Sequence, residues 1–136
     1  MDELQDLSRT DAKSAGLELN NDYNALYAEY LFRVKGNTNE WLTYKTAVPM
    51  DSVKMTAFFA ASVTDLVLQV SGDGIIFTDL VPVKKVRVLP KLTMGAAAGK
   101  NRTMVEYQCA VPVDNRYLKV LWKGPAELDR VEIYHR

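Results

Sequence analysis

Cysteine and histidine are almost missing from the chain, with Cys109 and His135 the only ones. A lone cysteine closes no internal disulfide, and one Cys with one His cannot supply the three or four ligands of a zinc site. Because His135 is one residue from the C-terminus, a Ser-His-Asp or Cys-His arrangement would have to work from a fraying end. Long apolar runs are absent too. The longest, residues 57–63 with Ser62 inside it, falls far short of the roughly 20 residues that cross a bilayer. The acidic start Met1-Asp2-Glu3 is not the pattern of a signal peptide. Seventeen basic residues balance seventeen acidic ones, so no overall field gathers phosphates, and neither a nucleic-acid nor a membrane partner is expected. The glycines of Gly36-Asn37-Thr38-Asn39 and of residues 95–99 do not match phosphate-cradling patterns.

What is present points to β structure. With 136 residues, 48% hydrophobic and 25% charged, the chain fits one globular domain, residues 1–136, whether whole or cut from something larger. Helical periodicity is scarce after residue 30, while segments rich in Val, Ile, Thr, Tyr and Phe recur between turn residues. Strands are expected at 29–34, 41–46, 52–59, 65–70, 75–80, 84–89, 103–111, 116–122 and 128–135. About nine strands cannot lie in one small open sheet without exposing an apolar face, so the fold class is all-β, a two-sheet antiparallel β-sandwich or jelly roll. Alternation sends Leu118, Val120 and Trp122 inward and Tyr117 and Lys119 outward, and sends Val131 and Ile133 inward. It makes Cys109 a buried small hydrophobe beside Val105 and Tyr107, while Phe58 breaks the pattern of its strand. Ser71-Gly72-Asp73-Gly74 reads as the turn of a hairpin, and residues 94–101 as a protruding loop.

The neutral total hides a polarised chain. Residues 1–30 carry seven acids against Arg9 and Lys13, whereas Lys84, Lys85, Arg87, Lys91, Lys100 and Arg102 fall in a stretch with no acid between Asp79 and Glu106. A basic stretch of this kind is either a solvated, edge-protecting strand face or an anion-binding surface. Paired carboxylates for glycoside cleavage would have to come from Glu40, Glu106, Glu127, Asp129 and Glu132, with nothing in their spacing to select a pair. Oxygen-rich Asn20-Asn21-Asp22, with Glu127 and Asp129, suits a structural calcium, although no cofactor is required.

Four stretches carry a family resemblance: Asp2-Glu3-Leu4-Gln5-Asp6-Leu7-Ser8; Asn37-Thr38-Asn39-Glu40-Trp41-Leu42-Thr43-Tyr44-Lys45-Thr46; Val70-Ser71-Gly72-Asp73-Gly74-Ile75-Ile76-Phe77-Thr78; and Arg116-Tyr117-Leu118-Lys119-Val120 with Leu128-Asp129-Arg130-Val131-Glu132-Ile133. In these the chain resembles the galactose-binding-like β-sandwich carbohydrate-binding modules appended to secreted bacterial polysaccharide-degrading enzymes. The resemblance implies a non-catalytic, extracellular module that holds a parent glycoside hydrolase or polysaccharide lyase, in the same chain, on its polysaccharide. It also implies a calcium site near the first strand with an acid near the last; Asp129 or Glu132 matches that acid, and the resemblance identifies no first-strand partner. The chain departs from the family in its basic 84–102 stretch, which points to an anionic, xanthan-like exopolysaccharide rather than a neutral glycan.

Sugar rings present an apolar C–H face rimmed by hydroxyls, so recognition calls for aromatic platforms edged by polar side chains. Trp41 alternates with inward Leu42 and Tyr44 and shares an outer face with Thr43 and Lys45. Tyr23 and Tyr27 are further stacking candidates at the acidic end. If Val86 and Val88 face the core, Lys85 and Arg87 point outward, and with Lys91, Lys100 and Arg102 they suit a polymer bearing carboxylates or sulfates. The competing reading is a structural or protein-docking sandwich, marked by an exposed apolar patch in place of a polar-rimmed aromatic surface.

Overall fold

The computed structural model describes residues 11–20, 33–59, 65–89 and 102–135, and regular structure among them is β alone. Eleven strands are seen: β1 (Ala12–Lys13), β2 (Glu18–Asn20), β3 (Arg33–Gly36), β4 (Trp41–Lys45), β5 (Met50–Phe59), β6 (Leu66–Ser71), β7 (Thr78–Asp79), β8 (Val83–Leu89), β9 (Arg102–Ala110), β10 (Tyr117–Trp122) and β11 (Ala126–His135). They form a five-stranded sheet, β1-β4-β10-β6-β7, and a six-stranded sheet, β2-β3-β11-β5-β9-β8. Every pairing is antiparallel, giving the two-sheet sandwich that the alternation predicts.

Strict alternation builds the core. Leu118, Val120 and Trp122 of β10 are fully buried against Val53, Met55, Ala57 and Phe59 of β5, and the alternate residues of β10 face out. Trp122 fills the centre, its indole Nε1 donating to the Ala126 carbonyl at 3.1 Å. Gly36 lies against that ring, where a Cβ would meet the indole at 2.7 Å and Leu17 at 2.8 Å, so only glycine fits. One end of the sandwich is clasped by polar contacts between sheets. The Tyr107 hydroxyl on β9 donates to Asp65 at 2.9 Å and accepts from the Leu66 N–H at 3.3 Å, while Lys84 of β8 reaches the other Asp65 oxygen at 2.8 Å. Burial and the adjacent Asp65 carboxylate push the Tyr107 phenol far above its usual range.

Several expectations change on contact with the structure. The expected strand at 75–80 shrinks to Thr78–Asp79 because the Asp73 carboxylate captures the N–H groups of Ile75, at 2.8 Å, and Ile76, at 3.0 Å, and takes them from the ladder. These bonds, the Ile75 amide first, hold the Asp73 carboxyl down at about 2. The turn does join a hairpin, with Gln69 opposite Asp79 and Val70 opposite Thr78. Phe58 is buried on the outer face of its sheet opposite Met104, so β5 is covered on both sides at that end. Cys109 is only half-buried, since β8 pairs no further along β9 than Gln108 and leaves the thiol beside the Val81 carbonyl. Val86 and Val88 are exposed rather than core residues. Short strands β1 and β2 carry no alternation and went unpredicted. The expected start of β3 at residue 29 and the loop at 94–101 lie outside the described residues.

Candidate functional site

The solvent face of the five-stranded sheet gathers aromatic rings and cations. Register places Trp41 beside Leu121, Thr43 beside Lys119, and Lys45 beside Tyr117, with Gln69 of β6 flanking Lys119 on its other side. Local structure fixes each ring. The Trp41 N–H donates to the Ser14 hydroxyl at 2.9 Å, the Ser14 N–H returns a bond to the Trp41 carbonyl at 2.9 Å, and the Ser14 hydroxyl also binds the Glu40 carboxylate. Tyr117 packs over Gly74, whose φ of 79° and missing side chain let the ring approach; a Cβ there would meet it at 2.9 Å. Phe77 follows the bend that Asp73 ties together, so a rigid turn delivers it to this face.

The Lys119 ammonium lies 5.3 Å from the Trp41 ring centre and 5.0 Å from that of Phe77, and Lys45 lies 5.6 Å from that of Tyr117. Such separations are attractive, each ring face being the negative pole of its quadrupole. Gln69 donates to Asp79 at 2.7 Å and borders the same surface with a fixed amide. The result is a half-buried aromatic platform carrying ammonium groups, able to stack a sugar ring and pair with an anion on its rim.

Not all the residues picked from sequence meet here. Trp41 and Lys45 share this face, as alternation requires. Lys85 and Arg87 stand opposite Glu106 and Met104 on β9, on the side of the six-stranded sheet away from Val105 and Tyr107. They therefore point from the opposite outer face of the sandwich, and no single surface holds them together with Trp41. Arg102 begins β9 opposite Leu89, with its side chain outside the described part, as are Tyr23, Tyr27, Lys91, Lys100 and Asp22. Asp129 is buried at a bulge in β11, and Glu132 lies across from Lys54. Among the described residues no three His, Cys, Asp or Glu side chains group to hold a metal. Tyr117, Lys119, Gln69 and Phe77 join the platform without having been singled out. The outward direction of Tyr117 and Lys119 was legible, but the placement of β10 between β4 and β6 was not.

No family model matches the sequence, and no curated protein does. The fold does have relatives among solved structures. One is a family 6 carbohydrate-binding module from Clostridium stercorarium in complex with cellobiose, 11% identical, with 93% of this chain and 88% of that one aligned at a TM-score of 0.51. A β-1,3-glucan binding family 6 module from Bacillus halodurans is 13% identical, with 94% and 92% covered at a TM-score of 0.50. A GH87 α-1,3-glucanase catalytic domain in complex with nigerose is 14% identical at a TM-score of 0.52; 92% of this chain aligns with 26% of that one. At these identities the likeness is one of architecture, and it is the architecture expected from the galactose-binding-like resemblance: this chain has the β-sandwich fold of the family 6 carbohydrate-binding modules.

Proposed function

We propose that the chain is a non-catalytic glycan-binding module and that the outer face of its five-stranded sheet is the binding surface. The observation that carries this is the Lys119 ammonium held within 5.3 Å of Trp41 and 5.0 Å of Phe77 on a solvent-facing sheet. A sugar ring stacks its C–H face on an indole or phenyl ring, and a carboxylate on the same sugar accepts hydrogen bonds from Lys119 or Lys45. That pairing favours an acidic polymer, an exopolysaccharide of the xanthan type, over a neutral glucan. Catalysis has no role in this reading. The module raises the local concentration of polysaccharide for a catalytic domain in the same secreted chain. Solved modules of like fold, one in complex with cellobiose and one that binds a β-1,3-glucan, support glycan binding as such, and the preference for an acidic polymer rests on Lys119 and Lys45.

Native affinity electrophoresis in gels containing xanthan or a neutral gum tests the reading. The chain is expected to be retarded in xanthan, less so at high salt, and Lys119→Ala and Trp41→Ala are each expected to lose most of that retardation. Equal mobility of both variants and the parent in the acidic gel removes the proposal.

A further inference from the structure

We infer that β8 is a docking edge for an extended acidic protein segment, which adds as the next strand of the six-stranded sheet. The inference is independent of the glycan platform, since β8 belongs to the other sheet. β8 closes the order β2-β3-β11-β5-β9-β8 and is paired on one side only among the described residues, through an unbroken register from Val83 to Leu89. Among the described residues a strand so placed leaves a row of N–H and C=O groups without a ladder partner, the template for strand addition.

Its side chains are arranged for a partner. Val83, Val86 and Val88 are 70%, 60% and 73% exposed, and Val81 just before them is 91% exposed. Isolated exposed valines are ordinary, but Val86 and Val88 share one face of this edge, whereas Val83, opposite Gln108, lies on the other face with Lys85 and Arg87. Register puts Val86 opposite buried Val105, on the core side of the sheet, so an added strand with an apolar residue there would extend the core over it. On the other side of β8, Lys85 and Arg87 project as cations; Lys85 already stands across from Glu106, whereas Arg87 stands across from Met104 and has no acid opposite it on β9. Lys84 is engaged by Asp65 at 2.8 Å and contributes to the fold instead.

Charge decides the occupant. Two copies joined edge to edge through β8 would bring Lys85 and Arg87 against their own like charges, which disfavours self-pairing. A polysaccharide carries acid groups but can neither continue a backbone ladder nor cover the valines. A segment alternating acidic and apolar residues satisfies all three features: an acid beside Arg87, apolar side chains beside Val86 and Val88, and main-chain groups on the edge that no described residue pairs.

The probe is a fluorescent hexapeptide alternating Glu and Val, titrated into the full chain by anisotropy, with amide hydrogen exchange followed in residues 83–89. Saturable binding is expected, with slowed exchange in β8. At least a tenfold loss is expected for Arg87→Glu and for a peptide N-methylated at alternate amides, while Trp41→Ala binds as the parent does. Binding that survives both N-methylation and Arg87→Glu overturns the inference. So does a peptide that fails to bind a folded chain, acidic polysaccharide binding that is lost in Arg87→Glu without any peptide binding, or self-association through β8 in sedimentation equilibrium.

Discussion

Replacing Tyr107 with Phe removes one oxygen from the clasp between the sheets and leaves the ring in place. The hydroxyl donates to Asp65 at 2.9 Å and accepts the buried Leu66 N–H at 3.3 Å. A hydrogen bond to a charged acceptor contributes about 1.5–3 kcal/mol, but the Asp65 side chain is 41% exposed and already bound to Lys84, so screening reduces that share to about 1 kcal/mol. Leaving the Leu66 N–H without an acceptor adds about 1 kcal/mol, for a total loss of about 2 kcal/mol. In a chain of this size that lowers Tm by about 7 °C. Urea unfolding followed through the fluorescence of buried Trp122 measures the loss as a lower midpoint at unchanged slope. Because the phenol is raised in the folded state, its contribution is complete below the ordinary phenol pKa and is lost as pH rises beyond it. Tyr107→Phe is therefore expected to flatten the alkaline limb of the stability profile. A change under about 0.5 kcal/mol, with the alkaline limb intact, would refute the clasp.

Gly36→Ala is expected to cost about 2–3 kcal/mol in the same urea assay, because its Cβ lands 2.7 Å from the Trp122 indole and 2.8 Å from Leu17 with no room to yield. Asp73, held at about 2 by the Ile75 and Ile76 amides and the Ser71 hydroxyl, contributes stability above its ordinary pKa of 3.8, and that contribution is lost as pH falls through about 2. Acid unfolding of Asp73→Ala should accordingly differ most from the parent at neutral pH and converge with it near pH 2. In the same variant the Phe77 ring, freed from its bend, is expected to lose its contact with Lys119, weakening retention in xanthan gels.

How far the sequence reaches is clearest strand by strand. In β10 each residue obeys the alternation, and Leu118, Val120 and Trp122 lie in the core as expected. In β8 the same rule correctly tells which side Val86 takes but not whether a second sheet reaches far enough to cover it, and among the described residues none does. Alternation along one strand contains no information about which strand lies next to it. Hence the sequence does not connect Lys119 to Trp41 or Phe77, nor does it separate Lys85 and Arg87 from an indole that faces the other way. Ile75 and Ile76 failed for a local reason: a side-chain carboxylate outcompeted the ladder for their amides.

The two indole N–H signals of this chain offer the most direct test of the binding face. Trp122 donates its proton to the Ala126 carbonyl deep in the core, whereas Trp41 is half-buried beside Lys119 on the outer sheet face. In a nitrogen–proton correlation spectrum titrated with an acidic xanthan oligosaccharide, the Trp41 indole signal is predicted to shift to saturation while the Trp122 signal stays fixed. Saturable binding that leaves the Trp41 signal unmoved would contradict the account.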